Sequence, residues 1–450
     1  MKAGPRTHDE YLAALTPALT ATLRRALALT LALALMLASA PAWLPAQSAP
    51  HTRGSGGRND PRHDAAPTIV LLSFDGFRYD YLDRYPAPSF ARLLAKGVRA
   101  DELIPAFPSK TFPNHYTMVT GLDPQHHGLV ANRFFDPARN ASYGMSDTLS
   151  VRDGTWYNGE PVWVTAERQG MVAAAYFWPG SEADIGGLRP TRVKPYDGRV
   201  PNADRVDTVL SWLTLPANER PHFATLYVSR TDDAGHRFGP EAPETGDAVR
   251  EVDAVLGRLL DGLERANVGP GGIELIVVSD HGMAAYTRDQ YAALDTIIDL
   301  HGVRIADGGP NANVHVDGGR ERATVLRDSI NRRLHHGRAY LRDEVPDALH
   351  YRDDPRIGDL VVVMELPWQV GTAALAPKSG GGAHGWDPAN REMHGVFVSW
   401  RPDATGPRRL APVRNVDIAR YITDRLGLAP APTTDGAPGR LAQQLREARR

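Results

Sequence analysis

One threonine in the segment PSKTFPNH (residues 108–115) stands where a hydroxyl could do chemistry. Pro113 suits the first turn of a helix, so the segment is typical of a helix start. Taken alone, Thr111 is best interpreted as an N-cap, because threonine commonly caps helices. The alternative is a nucleophile at the positive end of a helix, where free N–H groups attract an anion. The role of Thr111 therefore depends on what surrounds it.

Ligand-type side chains follow three apolar runs of the sequence. The runs and their followers are TIVLLSF (68–74) with Asp75, FATLYVS (223–229) with TDDAGH (231–236), and IELIVVS (273–279) with Asp280 and His281. If the runs are parallel strands, their carboxyl ends meet at one edge of a sheet, which is where open α/β sheets bind ligands. The pattern predicts a polar site at that edge.

The residue types at this edge indicate a metal site. Asp232 and His236 are spaced so that both can reach one ion, and His384, in SGGGAHGWDP, could supply a third ligand. Asp75, Asp280 and His281 form a second cluster. The chain contains no cysteine, and mixed Asp and His ligands favour zinc or a similar divalent metal over magnesium or calcium. Each motif alone is commonly a turn or loop, but together they favour metal ligation.

The elements that must position these residues form an α/β fold. Three further runs are predicted to be strands, in addition to the three above: VAAAYF (172–177), DLVVVMEL (359–366) and GVFVSW (395–400). The runs are almost continuously apolar, as expected for strands covered on both faces, and amphipathic segments lie between them. We therefore expect a central, largely parallel sheet flanked by helices. Residues 288–378 interrupt this pattern and are predicted to form a small inserted α/β cap subdomain beside the site.

Composition and the two ends of the sequence indicate the kind of partner, the location and the domain limits to expect. The 450 residues carry a net charge of −2, which gives no reason to expect a nucleic-acid polymer as the main partner. Residues 1–46, with an apolar run after Arg24 and Arg25, are predicted to be a signal peptide, so we expect a periplasmic or secreted protein. An uncleaved membrane anchor is the alternative. Residues 47–67 are predicted to be a flexible linker, 68–430 the catalytic domain, and 431–450 a C-terminal tail.

Several blocks of the sequence resemble one family. The order of these blocks is typical of nucleotide pyrophosphatase/phosphodiesterases of the alkaline phosphatase superfamily. The blocks are FDGFRYDYL, FPSKTFPNHYTMVTGLDPQHHGLVANRFFDP, FWPGSE, YVSRTDDAGHRFGP, VVSDHGM and GAHGWDP. The resemblance spans roughly residues 68–425. It implies an alkaline-phosphatase-like fold and a hydrolase with two Zn²⁺ per chain and a threonine nucleophile.

Carried over to this sequence, the resemblance assigns a role to each candidate residue. It implies that Asp232, His236 and His384 hold one zinc, and that Asp75, Asp280 and His281 hold the other together with the Thr111 oxygen. The Phe112 N–H and the Asn132 side chain would hold a phosphoryl oxygen. Phe112, Tyr196 and Tyr227 would flank a base or other leaving group. SRTDD departs from the usual family pattern here, and Asp232 is preferred to Asp233 because of its distance from His236.

These features predict an exported phosphodiesterase or nucleotide pyrophosphatase that acts through a phospho-threonine intermediate. Sulfatases that use a cysteine nucleophile are excluded by the lack of cysteine. Neutral Asn132, where monoesterases often place a cation, favours diesters. The alternatives are a glycerophospho- or choline-phosphodiesterase acting on lipid headgroups, and a secreted metal- or phosphate-binding module without turnover.

Overall fold

The computed structural model of the protein describes residues 54–266, 270–404 and 406–448. The predicted signal peptide, 1–46, and the first part of the predicted linker lie outside these residues. Among the described residues, no helix has the length and apolar character needed to cross a bilayer.

An eight-stranded main sheet organises the described chain. Its strands lie in the spatial order Arg408–Leu410, Val98–Ala100, Phe397–Trp400, Ile273–Val278, Thr68–Phe74, Phe223–Val228, Ala173–Tyr176 and Arg192–Lys194. The strand Phe397–Trp400 runs antiparallel to both of its neighbours, and the other pairings are parallel. The predicted central, largely parallel sheet is confirmed.

Alternate residues of the central strand pack into two different apolar clusters. Ile69 and Leu71 belong to one cluster, whereas Val70, Leu72 and Phe74 belong to the other. Because successive side chains of a strand point to opposite faces, the main sheet is covered on both sides. This explains why its strands are continuously apolar rather than alternating.

Helices cover both faces of the main sheet. The α-helices of the described residues, whether or not they touch this sheet, are in chain order Tyr81–Arg84, Pro88–Leu94, Thr111–Thr120, Pro124–His127, Thr148–Arg152, Val162–Arg168, Asn202–Leu213, Arg230–Phe238, Pro243–Arg265, Gly319–Asn331, Ile418–Arg425 and Arg440–Ala448. Asn202–Leu213 and Pro243–Arg265 pack on the face of Val70, and Thr111–Thr120 and Ile418–Arg425 pack on the face of Ile69. The fold is therefore a sheet flanked by helices, as predicted.

A second sheet lies within the region predicted to be inserted, residues 288–378. Its four antiparallel strands are, in spatial order, Val303–Asp307, Asn311–Val316, Leu360–Met364 and Gly337–Leu341. The strand Leu360–Met364 was expected beside the strands of the main sheet, but it pairs here instead. Its residues Leu360 and Val362 pack in a separate apolar cluster with the helix Gly319–Asn331. We call this unit the inserted sheet.

Among the described residues, four two-stranded pairings account for the remaining strands. They are Ala284–Tyr286 with Gly381–Ala383, Tyr291–Ala293 with Gln369–Gly371, Val413–Arg414 with Leu103–Ile104, and Arg133–Asp136 with Ala141–Gly144. The first pairing lies at the predicted metal site, because Gly381–Ala383 ends immediately before His384.

The segments that flank residues 68–430 are held by specific contacts in their described parts. Residues 54–67 were expected to be a flexible linker, yet the Asn59 amide donates to the carbonyls of Ala217 and Arg220. In the tail, the helix Arg440–Ala448 buries Leu441 and Leu445 in the main apolar cluster. Hydrophobic patterning could not predict the contacts of Asn59, because they satisfy backbone carbonyls and bury no apolar side chain.

Candidate active site and metal centre

Thr111 is the first residue of the helix Thr111–Thr120. The N-cap position is occupied by Lys110, whose side chain makes no capping hydrogen bond within the described chain. The Thr111 hydroxyl instead lies 3.3 Å from His281 Nε2. The interpretation of Thr111 as an N-cap is therefore wrong, and its hydroxyl faces the predicted metal ligands.

Asp75, Asp280 and His281 form an inner cluster at the carboxyl ends of two adjacent strands. Asp75 follows the strand Thr68–Phe74, and Asp280 follows the strand Ile273–Val278. These two strands pair with each other in parallel. Asp280 Oδ2 lies 2.9 Å and Asp75 Oδ1 lies 3.4 Å from His281 Nε2. One ligand atom from each of the three residues lies within 4.8 Å of the others, so the inner cluster could hold a metal ion.

Asp232, His236 and His384 form an outer cluster with the same close spacing. Asp232 and His236 lie one turn apart on the helix Arg230–Phe238, with Asp232 Oδ1 3.4 Å from His236 Nε2. The neighbouring Asp233 accepts a hydrogen bond from Ser229 Oγ instead. The structure therefore brings together the three residues that the sequence analysis selected.

Glycines explain how the loop carrying His384 comes so close to this helix. A Cβ atom on Gly382 would lie 2.3 Å from the carbonyl oxygen of Gly235, and one on Gly381 would lie 2.5 Å from that of His236. Larger residues at either position would push the strand Gly381–Ala383 away from the helix. The glycine-rich motif thus permits the close approach that completes the outer cluster.

The three histidines are oriented as metal ligands. Each Nδ1 donates to a backbone carbonyl at 2.8 Å: His236 to Gly382, His281 to Gly282 and His384 to Ser109. In the neutral tautomer that these bonds favour, the ring proton lies on Nδ1, and Nε2 presents its lone pair to a metal ion. In addition, the Nε2 atoms of His236 and His384 are 3.1 Å apart. Two lone pairs facing each other at this distance favour a cation between them.

The carboxylates also fit a cation. Asp75 Oδ1, Asp232 Oδ1 and Asp280 Oδ2 are buried without a hydrogen-bond partner in the described part of the chain. Leaving a buried carboxylate oxygen unpaired is costly, whereas a divalent ion would satisfy it. The donor set of each cluster therefore fits a bound metal ion.

Burial and neighbouring groups of the same charge shift the pKa values of Asp75 and His384. Burial raises the pKa of Asp75 well above its usual range, and the neighbouring carboxylates of Asp280 and Asp232 raise it further. Burial also lowers the pKa of His384 well below its usual range, assisted by His281 and His236. A positive metal ion would offset the repulsion between the carboxylates, and the lowered pKa of His384 keeps its ring neutral and able to bind such an ion.

The two clusters adjoin each other. The rings of His281 and His384, one from each cluster, stack with centroids 3.4 Å apart and an interplanar angle of 10°. The arrangement thus provides two neighbouring sites for metal ions rather than two unrelated ones, and two-metal sites are well suited to phosphoryl transfer.

A cavity of about 450 Å³ opens onto Thr111, Asp75 and Asp232. We call it the first cavity. The predicted aromatic residues Phe112, Tyr196 and Tyr227 all line it, and so do Phe177 and Trp178. The ring centroids of Phe177 lie 4.7 Å from Tyr196 and 5.2 Å from Tyr227. The first cavity therefore offers aromatic surface beside the nucleophile candidate.

Phe177 was not assigned a role by the sequence analysis. It lies in the FWPGSE block, and its backbone adopts φ 51°, which is unusual for a residue other than glycine. Its backbone carbonyl accepts a hydrogen bond from Thr225. Strained backbone of this kind concentrates at functional sites, but nothing in the sequence signals it at this position.

Asn132 and the Phe112 N–H lie together, as predicted, but they bond to each other. The Phe112 N–H donates to Asn132 Oδ1 at 2.9 Å. An oxygen held by this N–H would have to exchange with Asn132 Oδ1. The Asn132 side chain also lines a different cavity from that of Phe112.

His115 is a further residue of the Thr111 helix that the sequence analysis did not select. Its Nδ1 lies 2.9 Å from the Thr111 carbonyl oxygen and 3.4 Å from Asp280 Oδ2, and its Nε2 lies 2.8 Å from Ser73 Oγ. His115 thus connects the Thr111 helix to a residue of the inner cluster. Its position in the TFPNH block was the only available signal.

The comparisons with known proteins point in one direction. The family model for type I phosphodiesterase / nucleotide pyrophosphatase matches residues 69–387. Human ectonucleotide pyrophosphatase/phosphodiesterase family member 1 is 35% identical over 405 residues, covering 86% of this chain and 43% of the relative. The venom phosphodiesterase of Crotalus durissus collilineatus is 32% identical, covering 90% of this chain and 49% of the relative. The chain thus spans about half the length of these curated relatives.

Solved structures agree in fold. Murine ectonucleotide pyrophosphatase/phosphodiesterase 5 matches with a TM-score of 0.77 and 31% identity, covering 82% of this chain and 97% of that chain. An inactive threonine-to-alanine variant of the same murine protein, in complex with AMP, matches with a TM-score of 0.78 and 30% identity, covering 85% of this chain and 99% of that chain. The alkaline-phosphatase-like fold predicted for the chain is confirmed.

Proposed function

The chain belongs to the type I phosphodiesterase / nucleotide pyrophosphatase family of the alkaline phosphatase superfamily, and we propose that it hydrolyses phosphodiester or pyrophosphate bonds of nucleotides. The observation that carries this proposal is the Thr111 hydroxyl, 3.3 Å from His281 in a metal-type cluster and open to an aromatic cavity. The complex of a structural relative with AMP supports a nucleotide substrate.

We further propose that two zinc ions are the cofactors. Asp75, Asp280, His281 and the Thr111 hydroxyl would hold one ion, and Asp232, His236 and His384 would hold the other. The unpaired carboxylate oxygens and the three fixed histidine tautomers support this assignment. When bound, zinc would lower the pKa of the threonine hydroxyl and neutralise charge that develops on the phosphoryl group.

Thr111 is proposed to act as the nucleophile. Its hydroxyl would release its proton to solvent, and Oγ1 would attack the phosphorus while the bond to the leaving oxygen breaks. The product is a phosphate ester on Thr111. Water would then cleave this ester and restore the hydroxyl. The inactivity of a threonine-to-alanine variant of a structural relative is in keeping with this role.

The aromatic side chains of the first cavity would bind the group that stays on phosphorus. Tyr196 is 46% exposed and lies beside Phe177, so a flat base can reach both rings. Arg152, a cation that lines this cavity, is already paired with Glu182 at 3.1 Å. Neutral Asn132 beside Phe112 adds no positive charge. These features support a diester over a monoester, whose second charge would require a cation.

We also propose that the protein is exported. This rests on the sequence of residues 1–46, with its basic start and apolar run ending in small residues. N-terminal sequencing of the mature protein tests it. A mature chain that still begins before Arg24 and sediments with membranes would indicate an anchor instead.

Hydrolysis of p-nitrophenyl-TMP by purified protein supplied with zinc tests the proposed activity. We expect turnover that greatly exceeds that of p-nitrophenyl phosphate and that disappears with chelator. Binding of nucleotide without turnover would identify a binding module. Faster cleavage of glycerophosphocholine than of any nucleotide diester would identify a lipid-headgroup phosphodiesterase.

A further inference from the structure

A second cavity, of about 260 Å³, borders the outer cluster. Its lining includes His236 and His384 of that cluster, whereas the first cavity is lined by Asp75, Thr111 and Asp232. Within the described chain, the two cavities have no lining residue in common. Because residues of the clusters line both cavities, a phosphorus atom at the clusters would border each of them.

The second cavity contains a buried ion pair that bridges two parts of the fold. Lys110 Nζ lies 2.5 Å from Asp307 Oδ2, and the two side chains are 6% and 15% exposed. Lys110 immediately precedes Thr111, whereas Asp307 is the last residue of the strand Val303–Asp307 in the inserted sheet. The inserted sheet thus contributes a carboxylate beside the nucleophile helix.

Two further features indicate that this cavity is a built site. Gly385 adopts φ 121°, and a Cβ atom there would lie 3.0 Å from Lys110 Cε, so glycine leaves room for the lysine side chain to reach Asp307. Gln369, which lines the cavity, has a buried Nε2 that lacks a hydrogen-bond partner among the described residues. An unpaired buried donor is costly unless a ligand satisfies it.

We propose that the second cavity receives the leaving group, and that Asp307, by neutralising Lys110, makes the enzyme favour leaving groups of low charge over pyrophosphate. The proposal rests on the proposed function. The leaving oxygen departs opposite the attacking Thr111 hydroxyl, which lies at the inner cluster, so the leaving group emerges beside the outer cluster. There it meets a paired ammonium and the neutral amides of Asn132 and Gln369.

Two substrates that leave the same group on Thr111 isolate this effect. Thymidine triphosphate and p-nitrophenyl-TMP both transfer TMP, but they release pyrophosphate and p-nitrophenol. The quantity to measure is the ratio of their kcat/KM values, at fixed free zinc and magnesium. Changes in the first cavity or in Thr111 affect both substrates and cancel in this ratio.

Variants of the ion pair should move the ratio in opposite directions. Asp307→Asn frees the ammonium, so the ratio of thymidine triphosphate to p-nitrophenyl-TMP should rise roughly tenfold. Lys110→Gln leaves Asp307 unpaired and repelling anions, so the ratio should fall by a similar factor. Asp343→Asn is the matched control, because Asp343 lies in the same inserted region but pairs with Arg320 at the surface. Its ratio should equal that of wild type.

The outcomes separate this inference from the proposed function. The role of Asp307 is overturned if the ratio is unchanged in both Asp307→Asn and Lys110→Gln, each folded and loaded with zinc. It is also overturned if the ratio rises as much in Asp343→Asn as in Asp307→Asn. Either result leaves the phosphodiesterase assignment in place. Absence of turnover by wild type with both substrates overturns the proposed function itself. If Asp307→Asn does not fold, Lys110→Gln alone decides, because an unchanged or increased ratio contradicts the proposal.

Discussion

The hydroxyl of Tyr227 donates a hydrogen bond of 2.6 Å to Asp75 Oδ2. The other oxygen of this carboxylate, Oδ1, faces His281 in the inner cluster. Burial raises the pKa of Tyr227 well above its usual range, and the nearby Asp75 raises it further, so the phenol stays protonated and keeps donating. A residue predicted to flank the substrate thus also orients a predicted metal ligand.

Tyr227→Phe should therefore weaken metal binding more than substrate binding. The ring that lines the first cavity remains, but Asp75 loses its donor. Loss of such a partner typically costs about 10- to 100-fold in metal affinity. We expect lower activity at limiting zinc, recovery in excess zinc and little change in KM for p-nitrophenyl-TMP.

Tyr143→Phe is the matched control for this variant. It also loses a buried hydroxyl, but the partner of this hydroxyl is the Tyr157 hydroxyl at 3.0 Å, and neither tyrosine belongs to a cluster. Its zinc dependence should match that of wild type. Equal zinc titrations of Tyr227→Phe and wild type would contradict the positioning role.

Removal of the Thr111 hydroxyl should abolish catalysis without unfolding the protein. Thr111→Ala should lower kcat by roughly 10³-fold or more, because no nucleophile remains. Thr111→Ser should retain part of the rate. Acid quench during turnover of p-nitrophenyl-TMP, followed by mass spectrometry, should detect a covalently attached TMP group on Thr111 in wild type. Near-normal turnover by a folded Thr111→Ala protein would leave the hydroxyl without a catalytic role.

Metal analysis should give about two zinc ions per chain in protein purified without chelator, as two adjacent clusters imply. His384→Ala should lose most of the zinc of the outer cluster, so the content should fall to about one. His222→Ala is the control, because its Nδ1 bonds to the Pro67 carbonyl at the amino ends of the strands. Full activity in excess chelator, with no metal retained, would exclude a metal mechanism.

The aromatic wall of the first cavity should control affinity. Tyr196→Ala removes an exposed ring that a base can stack on, and stacking is worth about 1–3 kcal/mol per base. KM for p-nitrophenyl-TMP should therefore rise roughly 5- to 150-fold, with kcat little changed. Tyr196→Phe keeps the ring and should keep most of the affinity. A fall in kcat at constant KM would instead place Tyr196 near the reacting atoms.

His127 should make the fold sensitive to acid. Its ring is buried, and burial lowers its pKa from 6.5 to about 3. Below pH 6.5 the unfolded chain binds a proton that the folded chain takes up only near pH 3. The contribution to stability is therefore complete above pH 6.5 and is lost as the pH falls towards 3.

Urea unfolding at several pH values, with chelator present throughout, measures this effect. Between pH 6 and 4, the free energy of unfolding of His127→Gln should fall less steeply than that of wild type, by up to about 1.4 kcal/mol per pH unit. The Leu129 N–H, which donates to His127 Nδ1 at 3.2 Å, explains why a second ring proton is excluded. Parallel slopes for the two proteins would assign the acid sensitivity to other groups.

Much of the candidate site could be predicted because its signals are local. A continuous apolar run predicts a buried parallel strand, and Asp75 and Asp280 follow such runs directly. Parallel strands place their carboxyl ends at one edge, so these residues had to approach each other once the sheet formed. The spacing of Asp232 and His236 similarly fits one turn of a helix.

The sequence by itself thus determined the fold class, the strands that end at the site and the residues that gather there. Only the tertiary structure decided that Tyr227 holds Asp75, that Asn132 bonds to the Phe112 N–H, and that the strand Leu360–Met364 joins the inserted sheet. It also placed Asp307 against Lys110, 197 residues away along the chain. Hydrophobic periodicity reports how a segment meets the core, but the partner of a polar side chain depends on the path of the whole chain.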